Sequence, residues 1–292
     1  MTGSSDQLMH VWRRVVSQGD SLTPMESVLE ELAEYFDVDV EEARRRTVEW
    51  ETESVEQWHA ADRSTESAIT EFFRTQTSWI FDTMRYHAEQ CVGEAYPQSV
   101  DVAAHLPVSA PGNHLDYGAG PGTSSLFFHE LGWDITLADI SSSFLDFARW
   151  RIERRGIAAS FIDTASQELP EATFDLVTAF DVIAHVPDSS AALRAVRTSM
   201  RSNGVLLFNI DSRPRTHTTE YHFYQSHFPV LRDIRSLGFR RLPRIGPFYV
   251  FRACERGVVA RWAVTVADRL RYNVVISRLG QVARRATSVV RR

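Results

Sequence analysis

The chain has 292 residues, of which 43% are hydrophobic and 24% are charged, and its formal net charge is −6. This composition is typical of a soluble globular protein with a sizeable core, and nothing in the overall charge argues for nucleic acid as a partner, so none is expected. Two cysteines are too few for a disulfide framework or a zinc site, and no run of about 18 apolar residues or signal-peptide core occurs, so we expect a cytoplasmic protein without a membrane span.

The N-terminal third of the chain predicts helices. A capping box at Thr23, with proline at the first helical position, begins one helix, and Asp39 begins a second. A third helix is expected to run from Ser64 or Thr65 to about Gln90. Apolar residues recur at helical spacing in this region, which supports the helical prediction.

Short apolar runs alternate with helical stretches from residue 114 to about residue 209. The candidate strands are residues 114–117, 134–138, 160–162, 174–178 and 205–210. The helical segments are expected at residues 122–131, 142–155 and 189–201. This alternation predicts an α/β fold with a doubly wound, mostly parallel sheet, and two later runs, 239–242 and 248–252, predict an antiparallel pair at its edge.

A glycine-rich loop joins the first predicted strand to the first helix of this sheet. In HLDYGAGPGTSSLFF, residues 114–128, Gly118, Gly120 and Gly122 allow the main chain to pass close to a ligand that a β-carbon would push away. The nicotinamide fingerprint G-x-G-x-x-G requires a glycine where Thr123 stands. The spacing therefore argues against a nicotinamide dinucleotide.

Two aspartates flank this loop. Asp116 precedes the first glycine by two residues, where a carboxylate could orient loop amides or accept from an ammonium group. Asp139 ends the next strand, where a carboxylate could accept from two ribose hydroxyls, and Ser141 or Ser142 could fill the alternative role of a helix N-cap. A phosphate-free nucleoside with an amino-acid tail would offer hydrogen-bond donors to both acids, an ammonium group to one and ribose hydroxyls to the other.

These residues resemble a known family. The segments DYGAGPGT, LADI and FDLVTAFDVIAHVPD are together similar to the class I S-adenosylmethionine-dependent methyltransferases, over roughly residues 113–210 and more weakly to residue 252. The resemblance implies a Rossmann-like methyltransferase fold, S-adenosylmethionine as the cofactor and methyl transfer by in-line displacement. It leaves the first hundred residues unmatched.

The resemblance also implies cofactor contacts. Those at the methionine end would be Asp116, Gly118, Gly120 and Gly122. Asp139 would bind the ribose, and Ile140 would pack against the adenine.

The adenine side departs from the family pattern. The family often places an aspartate at the position of Ala165 in TASQELP, and here Ser166 or Gln167 could substitute for it. Asp163, two residues earlier, is interpreted as an ordinary loop carboxylate.

Residues after the fourth and fifth strands are candidates for the acceptor side. Asp181 and His185 border the expected cleft, Asp181 as a cofactor contact and His185 as a base or a structural histidine. His217 and His222 lie in the polar and aromatic stretch 211–228, and histidine is the natural base near pH 7. We interpret this stretch as an acceptor wall, although a surface loop is the alternative for any single histidine.

The chain is divided into three parts on this basis. Residues 1–105 are expected to form a helical lid, residues 106–255 the cofactor-binding domain, and residues 256–292 a basic amphipathic helix. The last part carries nine arginines against one acid. It could pack on the protein itself, form a homo-oligomer contact or lie on an anionic membrane surface, and we favour the first two.

The sequence therefore predicts methyl transfer to an oxygen or nitrogen of a small molecule, in specialised metabolism. A helical lid suits a small acceptor enclosed away from water better than a protein or a nucleic acid. Two other interpretations are a nicotinamide-dependent oxidoreductase and a non-catalytic scaffold that retains the fold. No metal is expected.

Overall fold

The computed structural model describes residues 5–17, 22–108, 110–186, 188–211 and 226–254. Its helices are α1 (Ser5–Val16), α2 (Pro24–Phe36), α3 (Val40–Ala60), α4 (Glu66–Thr75), α5 (Ser78–Val92), α6 (Gln98–His105), α7 (Thr123–Glu130), α8 (Ser142–Glu153), α9 (Ser189–Ser199) and α10 (Phe228–Ser236). Its strands are β1 (Asn113–Tyr117), β2 (Asp134–Asp139), β3 (Ser160–Asp163), β4 (Phe174–Ala179), β5 (Met200–Phe208), β6 (Phe239–Arg241) and β7 (Tyr249–Ala253). His217, His222 and the predicted C-terminal helix lie outside the described residues.

The strands form a single sheet in the order β3-β2-β1-β4-β5-β7-β6. Strands β1 to β5 pair in parallel, and β7 is antiparallel to both β5 and β6. The predicted α/β fold with a doubly wound, mostly parallel sheet and an antiparallel edge is therefore confirmed. The strand order reverses between β1 and β4, and ligands of such sheets bind beyond the carboxyl ends of the strands at this point.

Register brings the predicted acids to this edge. Asp116 of β1 lies opposite Thr178 of β4, and Asp139 of β2 lies opposite Asp163 of β3. Since parallel strands end at the same edge of the sheet, the last residues of β1 to β4 surround one crevice.

The helix starts in the N-terminal region follow the predicted capping chemistry. The Thr23 side chain accepts from the Glu26 amide, and the Glu26 carboxylate accepts from the Thr23 amide in return. The Asp39 carboxylate accepts from the Glu42 amide at 2.7 Å. Both predicted helix starts are confirmed because each signal lies within four residues of the chain.

The prediction of one continuous third helix is wrong. It is divided into α4 and α5 by Gln76, whose backbone is extended with ψ 127°. The Gln76 side chain bonds Ser78 Oγ and accepts from the Trp79 amide at 3.3 Å. The side-chain amide thus replaces main-chain partners at this point and allows the chain to turn between the two helices.

The core has one layer on each face of the sheet. Residues of β5 alternate between the layers, Val205 and Leu207 in one and Leu206 and Phe208 in the other. The first layer also contains residues of α1, α2, α5, α7 and α8, and the second contains residues of α9 and α10. The N-terminal helices therefore share a core with the sheet, and their role as a lid stays a prediction.

Candidate functional site

The three loop glycines all have positive φ angles, 75° at Gly118, 53° at Gly120 and 74° at Gly122. A β-carbon on Gly118 would lie 2.7 Å from one methyl carbon of Val182 and closer still to the other. A β-carbon on Gly122 would lie 3.0 Å from a methyl carbon of Leu137. Gly118 and Gly122 are therefore needed for tight internal packing as well as for the backbone conformation.

Gly120 differs from its two neighbours in the loop. A β-carbon there would meet no protein atom closer than Phe144, at 3.9 Å. Its missing side chain therefore leaves open space at the carboxyl edge of the sheet, as the close approach of a ligand requires.

Asp139 connects the loop to the end of β2. Its Oδ2 accepts from the Gly120 amide at 2.9 Å and its Oδ1 from the Ser141 amide at 2.8 Å. Burial raises the pKa of the Asp139 carboxyl, while these amides oppose the change. Each carboxylate oxygen can accept a second hydrogen bond, so two hydroxyls on neighbouring atoms could donate to the two oxygens of this carboxylate. The N-cap of α8 is Ser141, which leaves Asp139 available as predicted.

Asp116 lies inside the protein beneath the loop. Its Oδ1 accepts from Thr178 Oγ at 2.9 Å and its Oδ2 from Ser125 Oγ at 2.8 Å. Burial raises the pKa of Asp116 to about 6. Because both oxygens bond hydroxyls of β4 and α7, we now expect Asp116 to position the start of the loop rather than to contact an ammonium group.

A buried histidine extends this polar chain across the sheet. His114 Nε2 lies 2.8 Å from Thr178 Oγ, which itself donates to Asp116. Burial lowers the pKa of His114 to about 3, so the ring is neutral at physiological pH. Because Thr178 gives its single hydroxyl proton to Asp116, Nε2 is the donor in the contact with Thr178. His114, which the sequence presented only as a strand residue, thus supports Asp116 from two residues earlier in β1.

Asp181 follows β4 with a left-handed backbone, φ 55°. Its amide donates to Asn209 Oδ1 at 2.7 Å, and Asn209 Nδ2 donates back to its carboxylate. Gln98 Nε2 of α6 donates to the other carboxylate oxygen at 2.7 Å. The predicted cleft residue therefore joins the ends of β4 and β5 to an N-terminal helix, and Asn209 and Gln98 were not predicted.

The aromatic wall, which we define as Trp58, Phe72, Phe73 and Trp79, comes from α3, α4 and α5. Ile140, the predicted adenine contact, packs against it. The His185 ring lies 6.4 Å from the Phe73 ring and 6.2 Å from the Trp79 ring, measured between centroids. The structure thus brings His185 and Ile140 to the same aromatic surface, which the N-terminal helices supply.

Asp163, interpreted from sequence as an ordinary loop carboxylate, is bound by an N-terminal arginine. Arg74 Nη1 of α4 lies 2.9 Å and 3.1 Å from its two oxygens. Burial alone would raise the pKa of Asp163, but the Ala165 amide and Arg74 hold it below its ordinary value. Ser166, the predicted substitute at the adenine side, is exposed in the turn that follows, where its amide donates to the Asp163 carbonyl.

The remaining predicted groups are divided between described and undescribed parts of the chain. His227, from the same histidine-rich stretch, is described and its Nδ1 lies 2.7 Å from Tyr249 Oη. In the described ranges we find no group of three metal-ligating side chains and no helix long and apolar enough to cross a bilayer.

The central part of the chain is similar to known methyltransferases. Residues 115–206 match a family model described as a methyltransferase domain. The ubiquinone biosynthesis O-methyltransferase of Cereibacter sphaeroides is 31% identical over 109 residues, which cover 37% of this chain and 44% of that protein. The enzyme of the same name from Actinobacillus pleuropneumoniae is 26% identical over 106 residues, 34% of this chain and 45% of that protein.

The match to these curated relatives spans less than half of their length. Among solved structures, a phosphoethanolamine N-methyltransferase 2 from Haemonchus contortus, in complex with S-adenosyl-L-methionine, is 18% identical with a TM-score of 0.45. That similarity covers 61% of this chain and 43% of the other.

Proposed function

We propose that the chain transfers a methyl group from S-adenosylmethionine to an oxygen or nitrogen of a small molecule, because residues 115–206 match a family model of a methyltransferase domain. The observation that carries this proposal is the pairing of Gly120 with Asp139. An open glycine lies beside a carboxylate that still has acceptor capacity, at the strand-order reversal of the sheet. This arrangement suits a nucleoside whose ribose binds the acid while its tail passes over the glycine.

The residues present fit the proposed cofactor. Asp139 would accept from the ribose hydroxyls, Ile140 would pack against the base, and Gly120 would allow the main chain to approach the tail. When bound, S-adenosylmethionine supplies an activated methyl group on a positively charged sulfur. The loop needs no phosphate-binding group for such a ligand.

The aromatic wall and His185 are the proposed acceptor side. Aromatic faces bind a small molecule with apolar or aromatic surface and exclude water from it. An imidazole at this surface could accept a proton from a hydroxyl or an amine of the acceptor near neutral pH. The O-methyltransferase names of the curated relatives support an oxygen acceptor as the first to test.

Calorimetry with S-adenosylmethionine and S-adenosylhomocysteine tests the cofactor assignment. Asp139→Asn should weaken binding of both compounds by about tenfold or more, since two charge-assisted hydrogen bonds become neutral. Asp134→Asn, at the exposed opposite end of the same strand, is the matched control and should bind normally. Normal binding by Asp139→Asn, or the absence of heat with the unaltered protein, would show that the assignment is wrong.

Incubation with methyl-labelled S-adenosylmethionine and a panel of small phenols and amines tests turnover. We expect label in a small molecule. Cofactor binding without transfer to any member of the panel or to a metabolite extract would favour the scaffold interpretation, and binding of NADH in its place would favour the oxidoreductase.

A further inference from the structure

Arg151 of α8 is fully buried although its charge is permanent. Its Nη1 donates to the Pro121 carbonyl at 2.6 Å and to Thr123 Oγ at 2.9 Å. Both acceptors belong to the glycine loop and its junction with α7. The Arg151 guanidinium of α8, a later helix, therefore contacts the glycine loop from the side of the protein interior.

The same guanidinium is held from the N-terminal region. Arg151 Nε lies 3.0 Å from Oε2 of Glu31 in α2, and Arg155 Nη1 lies 2.9 Å from Oε1. The Glu31 side chain has no exposed surface. Burial alone would raise the pKa of Glu31, but Arg151 and then Arg155 outweigh it and hold the pKa below its ordinary value. Glu31 is therefore ionised and fixes Arg151 in place.

Helices α2 and α8 are also held together by contacts that do not involve this buried pair. Arg154, at the C-cap of α8, lies 2.7 Å from the exposed Glu34 of α2, and the Tyr35 and Phe147 rings of the two helices have centroids 4.8 Å apart. Apolar side chains of similar volume often stabilise a core as well as a buried ion pair does. What they cannot do is donate to the Pro121 carbonyl and the Thr123 hydroxyl.

We infer that Arg151, oriented by Glu31, is a positioning residue that fixes the glycine loop from behind and connects it to the N-terminal helices. The Pro121 carbonyl shares a peptide plane with the Gly122 amide, which donates to the Ala119 carbonyl, so holding it fixes the part of the loop that directly follows Gly120. The effect on the cofactor rests on the proposed function, but the effect on the loop does not.

Hydrogen exchange of the unliganded protein tests the effect on the loop. The amides of Ala119, Gly120 and Gly122 are all hydrogen-bonded, so their exchange reports opening of the loop. Arg151→Lys and Glu31→Gln should each accelerate their exchange by about tenfold or more, because a lysine cannot bond the loop and Glu31 together. Glu34→Gln, on the same helix pair, should leave these amides unchanged.

Two further variants separate positioning from general stability. Val28→Ala truncates a fully buried residue of α2 and lowers global stability without touching the loop contacts. Thr123→Val removes one loop acceptor while Arg151 and Glu31 remain, so it tests the inference even if Arg151→Lys does not fold. Thr123→Val should accelerate loop exchange more than Val28→Ala does at equal loss of global stability.

Calorimetry with S-adenosylhomocysteine on the same variants distinguishes the two proposals. We expect affinity to fall by about tenfold in Glu31→Gln and to be retained in Glu34→Gln. Loop exchange in Arg151→Lys, Glu31→Gln or Thr123→Val that only matches Val28→Ala would overturn the positioning role. If the variants accelerate loop exchange but the unaltered protein gives no heat with S-adenosylhomocysteine, the positioning role would be supported and the proposed function overturned.

Discussion

Arg74 of α4 and Asp163 at the end of β3 are joined by two contacts, at 2.9 Å and 3.1 Å from one guanidinium nitrogen. The Arg74 carbonyl also accepts from the Ser142 hydroxyl at 3.0 Å, at the first residue of α8. A single residue of the N-terminal region therefore holds the end of β3 and the start of α8 together on the proposed adenine side. This relationship makes α4 part of the candidate site rather than a neighbour of it.

Breaking this pair should weaken cofactor binding. We expect Arg74→Met and Asp163→Asn each to lower affinity for S-adenosylhomocysteine by about three- to tenfold, and the double variant to be no weaker than the single ones. The shared effect follows because both changes release α4 from β3. Calorimetry on the four proteins checks it, and additive losses would show that the two residues act separately.

Gly120→Ala should separate ligand approach from folding. Its β-carbon meets no protein atom within ordinary contact distance apart from Phe144, so the expected cost is the strain of a positive φ, about 1 kcal/mol. Gly156→Ala is a matched control, since Gly156 has φ 66° and nothing within 4 Å. Both variants should fold with similar stability, whereas only Gly120→Ala should lose binding in calorimetry. Equal binding by the two would place the cofactor tail elsewhere.

Gly118→Ala should instead destabilise the fold. The new β-carbon would collide with Val182, and the backbone has φ 75°, so we expect a loss of about 2 kcal/mol or more in the free energy of unfolding. Adding Val182→Ala should recover part of it by removing the colliding methyl groups. Urea unfolding of both proteins measures the difference, and no recovery would mean that backbone strain alone is responsible.

The buried Asp116 carboxyl should produce a pH dependence of stability. Its pKa in the folded protein is raised to about 6, whereas the unfolded chain releases the same proton near the ordinary value of 3.8. The contribution is therefore fully present below about pH 4 and is lost as pH rises through about 6, by up to about 3 kcal/mol.

Asp116→Asn, which resembles the protonated acid, should remove this part of the slope. Urea unfolding of the original protein and the variant between about pH 4 and 7 gives two curves, and their difference isolates Asp116 from other titrating groups. Asp134→Asn, at an exposed position, serves as the control. Parallel curves for the original protein and Asp116→Asn would show that folding does not raise the pKa of Asp116.

Sequence signals whose residues lie close together along the chain predicted the local structure correctly. The caps at Thr23 and Asp39 and the strand–glycine–helix sequence around Gly118 each depend on neighbours along the chain, so the helix starts and the sheet were predicted from residue pattern. The break at Gln76 was missed, although the polar run TQTS could have indicated it, because such side chains compete with main-chain partners.

Contacts between distant segments could not be predicted in this way. Arg74 and Asp163 are 89 positions apart, Arg151 and Pro121 are 30 apart, and Asp181 and Asn209 are 28 apart. Each pair meets only because the strand order and the packing of α4 and α8 bring the segments together. From sequence, Asp116 at the end of the first strand could accept from an ammonium group, but β1 is buried on both faces, so its side chain points into the interior.

The sheet also constrains how copies of this chain can associate. Among the strands that the structure describes, the outer ones are β3, with four residues, and β6, with three residues of which Arg240 and Arg241 are exposed. Short, charged edge strands offer few unpaired main-chain groups with which another strand could pair. Copies of the chain would then associate through helix or loop surfaces. We do not expect an intermolecular sheet to form at β3 or β6.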